Sequence, residues 1–171
     1  MIKDSIAQAL SDQVNAEYYS AYLYLAMSAY ADRAGYKGIA NWFFVQAQEE
    51  MTHGIHFYRH ILERGVSPAL ADIKKPETSF GSIKDVFEKT LAHEKTVTAS
   101  IDRIATLAQN EKDHATYSFI MWYVDEQIEE ESGVEEILAK INLAGNNPGL
   151  FYTLDAQLGS RAYTDPFTEK E

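Results

Sequence analysis

Apolar residues recur along this chain every three or four positions, which is the spacing of one face of a helix. Nowhere do apolar and polar residues alternate with the two-residue period of a half-buried strand. The pattern predicts four long helices and a short fifth one, over residues 5–34, 38–64, 82–109, 113–144 and 150–158. Gly35, Gly65 and Gly145 follow three of these segments, as glycine commonly does at the end of a helix. The chain is therefore predicted to be an all-α protein.

The lengths of the connections predict how the helices are arranged. Residues 35–37 and 110–112 are short links, so each joins two antiparallel helices in a hairpin. Residues 65–81 number 17, which is enough extended chain to run the length of the bundle. The prediction is a four-helix bundle of two hairpins joined by one long crossover. It would form a single domain over residues 1–171, with the short fifth helix near its C-terminal end.

A set of polar residues interrupts the apolar faces of all four long helices. The set is Glu17, Glu50, His53, Glu94, Gln127 and Glu130. Each member stands at helical spacing from apolar residues of its own helix, so each is predicted to point inward. After Glu17 the next two members follow at 33 and then three residues, and the same two intervals follow Glu94. Two similar hairpins would gather the six groups around one pseudo-twofold axis, an arrangement that suits two metal ions.

The four glutamates of this set need positive charge beside them in the core. Buried carboxylates that lie close together lose hydration and repel one another, and they would be protonated unless cations were present. Two divalent ions would balance the four negative charges. Carboxylate oxygens with one imidazole suit iron or manganese better than copper, although zinc could compete. Iron is suited to redox work, so two iron ions are the predicted cofactors.

The overall composition argues against several other classes of protein. A formal net charge of −11 opposes binding to nucleic acid, which depends on Lys and Arg. The absence of cysteine excludes disulfides and thiolate metal sites and fits a reducing compartment, so the protein is predicted to be cytoplasmic. Asp4 and Gln8 interrupt any apolar secretion signal, and the most apolar run, residues 21–31, is too short to span a bilayer. Neither nucleic acid nor a membrane is an expected partner.

At the six polar positions the sequence resembles the bacterial non-haem ferritins, and the resemblance covers nearly the whole chain. It implies a first iron that is bound by Glu17, Glu50 and His53. It implies a second iron that is bound by Glu94, Glu130 and again Glu50, which would bridge the pair.

The resemblance adds residues at the edge of this centre. Gln127 stands close by and is included among the catalytic and metal-binding residues. Tyr24, two turns beyond Glu17, is similar to the tyrosine that adjoins this centre in the family. Whether Tyr24 donates an electron or only a hydrogen bond is left open. The third iron position of prokaryotic ferritins is matched by Glu49, Glu126 and Glu129, together with Glu130. Glu49 and Glu129 each lie about 100° from an inward neighbour, so a surface position is an equal alternative.

The implied function is iron storage with ferroxidase activity. Fe(II) would be oxidised to Fe(III) with O2 or peroxide at a diiron centre inside each subunit, and the ferric mineral would be stored in a homo-oligomeric cage of 24 subunits. Bacterioferritins carry Glu and His where Gln127 and Glu130 stand, and a methionine for haem where Thr52 stands. Met51 is one residue off, so no haem is predicted. Two alternatives stay open: a diiron oxidase acting on an organic substrate, and a non-catalytic helical assembly protein whose polar core fixes the register.

Overall fold

The computed structural model describes residues 2–168, and within this range five α-helices and no β-strand are present. The helices are α1 (Asp4–Arg33), α2 (Lys37–Glu63), α3 (Ile83–Asn110), α4 (His114–Ala144) and α5 (Pro148–Leu158). Every boundary lies within two residues of the predicted one. The all-α prediction is confirmed.

Two helices begin one residue later than predicted because their first predicted residue serves as a cap. The Ser82 hydroxyl accepts a hydrogen bond from the Asp85 backbone N–H at 3.1 Å. The Asp113 carboxylate accepts one from the Thr116 backbone N–H at 3.2 Å. Each side chain satisfies one of the N–H groups that a helix leaves without an internal partner at its start.

The connection between α2 and α3 runs along the outside of α1. At one end, the Ala69 backbone N–H donates to the Ser11 hydroxyl at 3.1 Å. At the other, the Phe80 and Tyr30 rings pack edge to face with centroids 5.2 Å apart. Ser11 and Tyr30 are separated by about 28 Å of helix. The connection therefore spans most of the bundle, which confirms the long crossover between the α1–α2 and α3–α4 hairpins.

The fifth helix packs tightly against the start of α2. A Cβ atom on Gly38 would lie 1.7 Å from the carbonyl oxygen of Asp155, so only glycine allows this approach. The neighbouring Ile39 backbone N–H donates to the Asp155 carboxylate at 2.9 Å. These contacts fix the direction in which the chain leaves α5.

The core consists of two apolar clusters at opposite ends of the bundle. One contains Tyr24, Phe43 and Phe87, and the other contains Leu10 and Phe57, each with many smaller partners. Between them, halfway along each long helix, lies a layer of buried polar side chains. In the part of the chain that the structure describes, no helix combines the length and apolarity that a membrane crossing requires.

Candidate metal centre

The polar layer contains the six residues that the sequence singles out. The side chains of Glu17, Glu50, His53, Glu94 and Gln127 are buried, whereas Glu130 is partly buried. They come from all four long helices, one residue each from α1 and α3 and two each from α2 and α4. The two apolar clusters flank the layer along the bundle.

Three of these residues converge to the spacing of metal ligands. One nitrogen or oxygen atom from each of Glu17, Glu50 and His53 lies within 4.8 Å of the others. The nearest His53 nitrogen, Nδ1, is 3.7 Å from a Glu50 oxygen. The other ring nitrogen, Nε2, is buried without a hydrogen-bond partner among residues 2–168. Two carboxylates and one imidazole at this separation fit a divalent first-row metal.

The other two glutamates lie beside this group and are held by hydrogen bonds. Glu94 accepts one hydrogen bond from the Tyr24 hydroxyl and another from Gln127 Nε2 at 3.1 Å. Glu130 accepts one from Gln46 Nε2 at 2.8 Å. Among the described residues, Glu94 and Glu130 do not join a ligand group of the same closeness as the first three. The structure thus assembles the predicted first metal position more tightly than the second.

The carboxyl groups of this layer favour the protonated form when no cation is near. Burial raises the pKa of Glu17 and of Glu50 well above its ordinary range. The nearby charges of Glu94 and Glu130 raise the pKa of Glu50 further. Burial first, and then the charge of Glu94, raises the pKa of Glu130 to about 8. Divalent cations would replace these protons, since they supply the positive charge that the carboxylates lack.

Two glutamines support the glutamates, and the sequence prediction missed both. Gln13 Nε2 donates to Glu17 at 2.9 Å, and the Gln13 oxygen in turn accepts from the Ser100 hydroxyl at 2.6 Å. Gln46 supports Glu130 in the same way across the bundle. Gln13 and Gln46 each stand four residues before a candidate ligand of their own helix. An amide one turn ahead of an inward glutamate was the available signal.

The three residues of the predicted third position differ in their surroundings. Glu49 is partly buried and forms an ion pair with Arg161, with an oxygen–nitrogen distance of 2.6 Å. Glu126 is partly buried and Glu129 is exposed. Glu126 and Glu129 line a cavity of about 370 Å³ together with Glu130 and Arg161. Metal binding by this set stays a prediction.

Tyr24 lies at the edge of the candidate metal centre as a hydrogen-bond donor. Its side chain is fully buried, and its hydroxyl donates to Glu94. Burial, and then the charge of Glu94, raises the pKa of Tyr24 well above its usual value. The phenol therefore keeps its proton at neutral pH and steadies the carboxylate.

Gly54 permits a close approach of α1 and α2 at the level of the ligands. A Cβ atom at this position would lie 3.3 Å from the Tyr18 ring and 3.4 Å from the Glu17 side chain. The contact with Tyr18 is tighter than most Cβ contacts, so a side chain at this position would require its neighbours to shift by a few tenths of an ångström. The glycine thus allows α1 and α2 to lie close together beside Glu17.

Comparison with known proteins places these features in one family. The sequence pattern described as the Ferritin-like domain matches residues 7–144. The chain is 39% identical to the bacterial non-heme ferritin of Staphylococcus haemolyticus and 38% identical to that of Staphylococcus epidermidis, covering 96% of this chain and 99% of each relative. A solved structure of Archaeoglobus fulgidus ferritin, engineered into a closed form, superposes with a TM-score of 0.94 at 40% identity. The superposition covers 96% of this chain and 100% of that one.

Proposed function

Since the chain belongs to the ferritin family, we propose that it is an iron-storage subunit that oxidises Fe(II) at a two-metal centre inside its own helical bundle. The observation that carries this proposal is the buried group of Glu17, Glu50 and His53, whose ligand atoms lie within 4.8 Å of one another. Glu94 and Glu130 lie beside the group and raise the pKa of Glu50 by their charge. Such a cluster of buried acids has a physical role when cations bind there.

Each residue of the layer has a distinct task in this proposal. Glu17 and His53 bind the first Fe(II), Glu94 and Glu130 bind the second, and Glu50 bridges the two. Glu50 suits the bridging role because it belongs to the close ligand group and also interacts with both other acids. Gln127 and Tyr24 orient Glu94 through their hydrogen bonds.

The reaction takes its electrons from Fe(II), which is the substrate. Two Fe(II) ions give up two electrons to one O2, which takes up two protons and leaves as hydrogen peroxide; with peroxide as oxidant the product is water. The chain supplies the positions of the two ions and a dry site. The protonated carboxyls release protons when the ions bind. Carboxylate ligands then favour Fe(III) because the charge on the metal is higher.

A stripe of exposed apolar side chains supports self-association. Its members on α2 are Phe44, Met51, Ile55, Tyr58 and Leu62. Their spacing places them along one side of the helix, opposite the side that is buried in the bundle. Contiguous apolar surfaces of this kind mark interfaces. We expect size-exclusion chromatography with light scattering to show a particle of several hundred kilodaltons, and a monomer or dimer would contradict the cage.

Metal binding should stabilise the protein at neutral pH. Anaerobic Fe(II) at about one hundred times its dissociation constant adds about 2.7 kcal/mol per site to the free energy of unfolding. For a chain of this size that corresponds to a rise in melting temperature of roughly 5–10 °C. Differential scanning calorimetry at pH 7 with and without anaerobic Fe(II) measures the shift. A melting temperature that Fe(II) leaves unchanged would count against the proposed centre.

The alternatives from the sequence are less well supported. An oxidase for an organic substrate needs an apolar pocket beside the metals. The cavity next to Glu130 is instead lined by further charged groups, among them Glu126, Glu136 and Lys140. A purely structural role for the polar layer would bury several acids without compensation, which is costly. The subunit number of 24, the single-domain organisation, the cytoplasmic location and the absence of haem stay predictions.

A further inference from the structure

The chain beyond α5 returns along α2. Residues 159–168 form no helix and are called here the C-terminal strap. The Tyr163 hydroxyl lies 2.6 Å from the Thr52 hydroxyl. One turn further along α2, the Phe167 ring stacks on His56 with centroids 3.7 Å apart. The strap is thus attached to one side of α2, the helix that carries Glu50 and His53.

The strap carries a cation to the edge of the metal centre. A terminal nitrogen of Arg161 lies 2.6 Å from a Glu49 oxygen, and the guanidinium also donates to the side-chain oxygen of Gln46. The Arg161 guanidinium lies 5.1 Å from the centroid of the Trp42 ring. A planar group with these partners is held in one orientation. The guanidinium is thus a fixed charge rather than a mobile surface group.

Arg161 lies among the residues of the predicted third metal position. Gln46 accepts from Arg161 and donates to Glu130, so one amide separates the guanidinium from a proposed iron ligand. Glu126, Glu129 and Glu130 line the same cavity as Arg161. Arg161 is paired directly with Glu49, and it shares the cavity with these three carboxylates and with Lys140.

We propose that Arg161 is a tethered cation that occupies Glu49 and must leave before a further metal ion binds among Glu49, Glu126 and Glu130. This inference rests on the proposed function, because it concerns the ion that follows the first two. A guanidinium and a dication cannot share the same carboxylates at low cost, since like charges a few ångströms apart repel strongly outside bulk water. The strap thereby sets how many ions one subunit holds.

Anaerobic titration calorimetry with Zn(II), which is redox-inert, tests the proposal by counting ions per assembled subunit. The wild-type protein is expected to bind two ions tightly. Arg161→Gln removes the charge and keeps much of the length, and it is expected to bind an additional Zn(II) about ten- to a hundredfold more tightly than the wild type does. That range corresponds to the strength of hydrogen bonds to charged groups that the ion no longer has to displace.

Two further variants separate the strap from general electrostatics. Arg59→Gln makes the same change in net charge at an exposed position of α2 and is expected to titrate like the wild type. Phe167→Ala loosens the strap without changing any charge. It is expected to raise the affinity for the additional Zn(II), as Arg161→Gln does, but by a smaller factor. It also tests the strap if Arg161→Gln fails to assemble.

Each contrary result has a definite meaning. The proposal is overturned if Arg161→Gln titrates like the wild type, if Arg59→Gln shows the same gain, or if Phe167→Ala shows no shift. In all three cases two tightly bound ions would leave the proposed ferroxidase centre intact. Failure of the wild type to bind any ion that depends on Glu50 would instead refute the proposed function itself.

Discussion

The Glu50→Ala variant is expected to lose the rapid phase of Fe(II) oxidation, with an initial rate at least about a hundredfold below that of the wild type. Residues that only support a metal ligand already contribute about ten- to a hundredfold to affinity or activity. Glu50 is proposed to bind both irons, so its removal affects both positions at once. It is buried beside Glu17 and His53, whereas the adjacent carboxylate on α2, Glu49, is paired with Arg161.

Stopped-flow absorbance of the ferric product at two Fe(II) per subunit measures this rate. Glu63→Ala is the matched control, because it removes a carboxylate from an exposed position of the same helix. The control is expected to match the wild type. Size-exclusion chromatography of Glu50→Ala shows whether the assembly is intact. An intact Glu50→Ala assembly with a wild-type initial rate would exclude Glu50 from the reaction.

The second large effect is expected in the metal-free protein, which should become less stable as the pH rises towards 8. The pKa of Glu130 is raised from 4.5 to about 8 in the folded state, chiefly by burial. Between these pH values the folded protein keeps a proton that the unfolded chain has released. Stability from this group is therefore complete below about pH 4.5 and is lost as the pH rises to about 8. The pKa values of Glu17 and Glu50 are raised for the same reason and act in the same direction.

The isosteric variant Glu130→Gln isolates this effect. Between pH 5 and pH 8 the free energy of unfolding of the wild type should fall by up to about 4 kcal/mol relative to that of the variant. This figure is an upper limit, because Glu130 is partly exposed and solvent reduces the effect. Denaturant unfolding in the presence of a chelator measures the difference. Burial lowers the pKa of His56 and of His93 from 6.5 to about 4, so these two residues make the free energy of unfolding rise with pH over that range. Both proteins contain them, and the comparison therefore cancels their contribution. If the free energy of unfolding of the two proteins changed with pH in parallel, burial would not destabilise the ionised form of Glu130.

The same substitution should have the opposite effect once metal is present. Glu130→Gln removes a proposed ligand of the second iron, so the stabilisation by Fe(II) should fall in the variant. A residue that destabilises the empty fold and stabilises the loaded one is retained for binding rather than for folding.

The inward residues could be predicted from the sequence because helical periodicity and burial are local properties. Glu17 and Glu94 each stand at the spacing of the apolar residues around them, and the structure buries both. The long crossover followed from chain length alone, since residues 65–81 were too many for a tight turn and enough to span a helix. These features depend on residues that are near in sequence.

The partners of the ligands could not be predicted in this way. Gln46 and Arg161 are 115 residues apart, and no periodic pattern in the strap indicates that it returns along α2. Gln46 is an ordinary polar residue of α2 until α4 is in place, since its partner Glu130 lies across the bundle. Gln13 is the exception, because its partner Glu17 lies one turn away on the same helix. The position of Glu49 was left open between surface and metal, and the structure shows a third possibility, an ion pair with the chain's own arginine.

An anomalous-difference map from crystals soaked anaerobically in Fe(II) shows whether acids from separate helices share two metal ions inside the bundle. Two iron peaks per subunit are predicted, one among Glu17, Glu50 and His53 and one among Glu50, Glu94 and Glu130. Iron peaks confined to surface carboxylates, with none between the four helices, would contradict a two-metal centre inside the bundle.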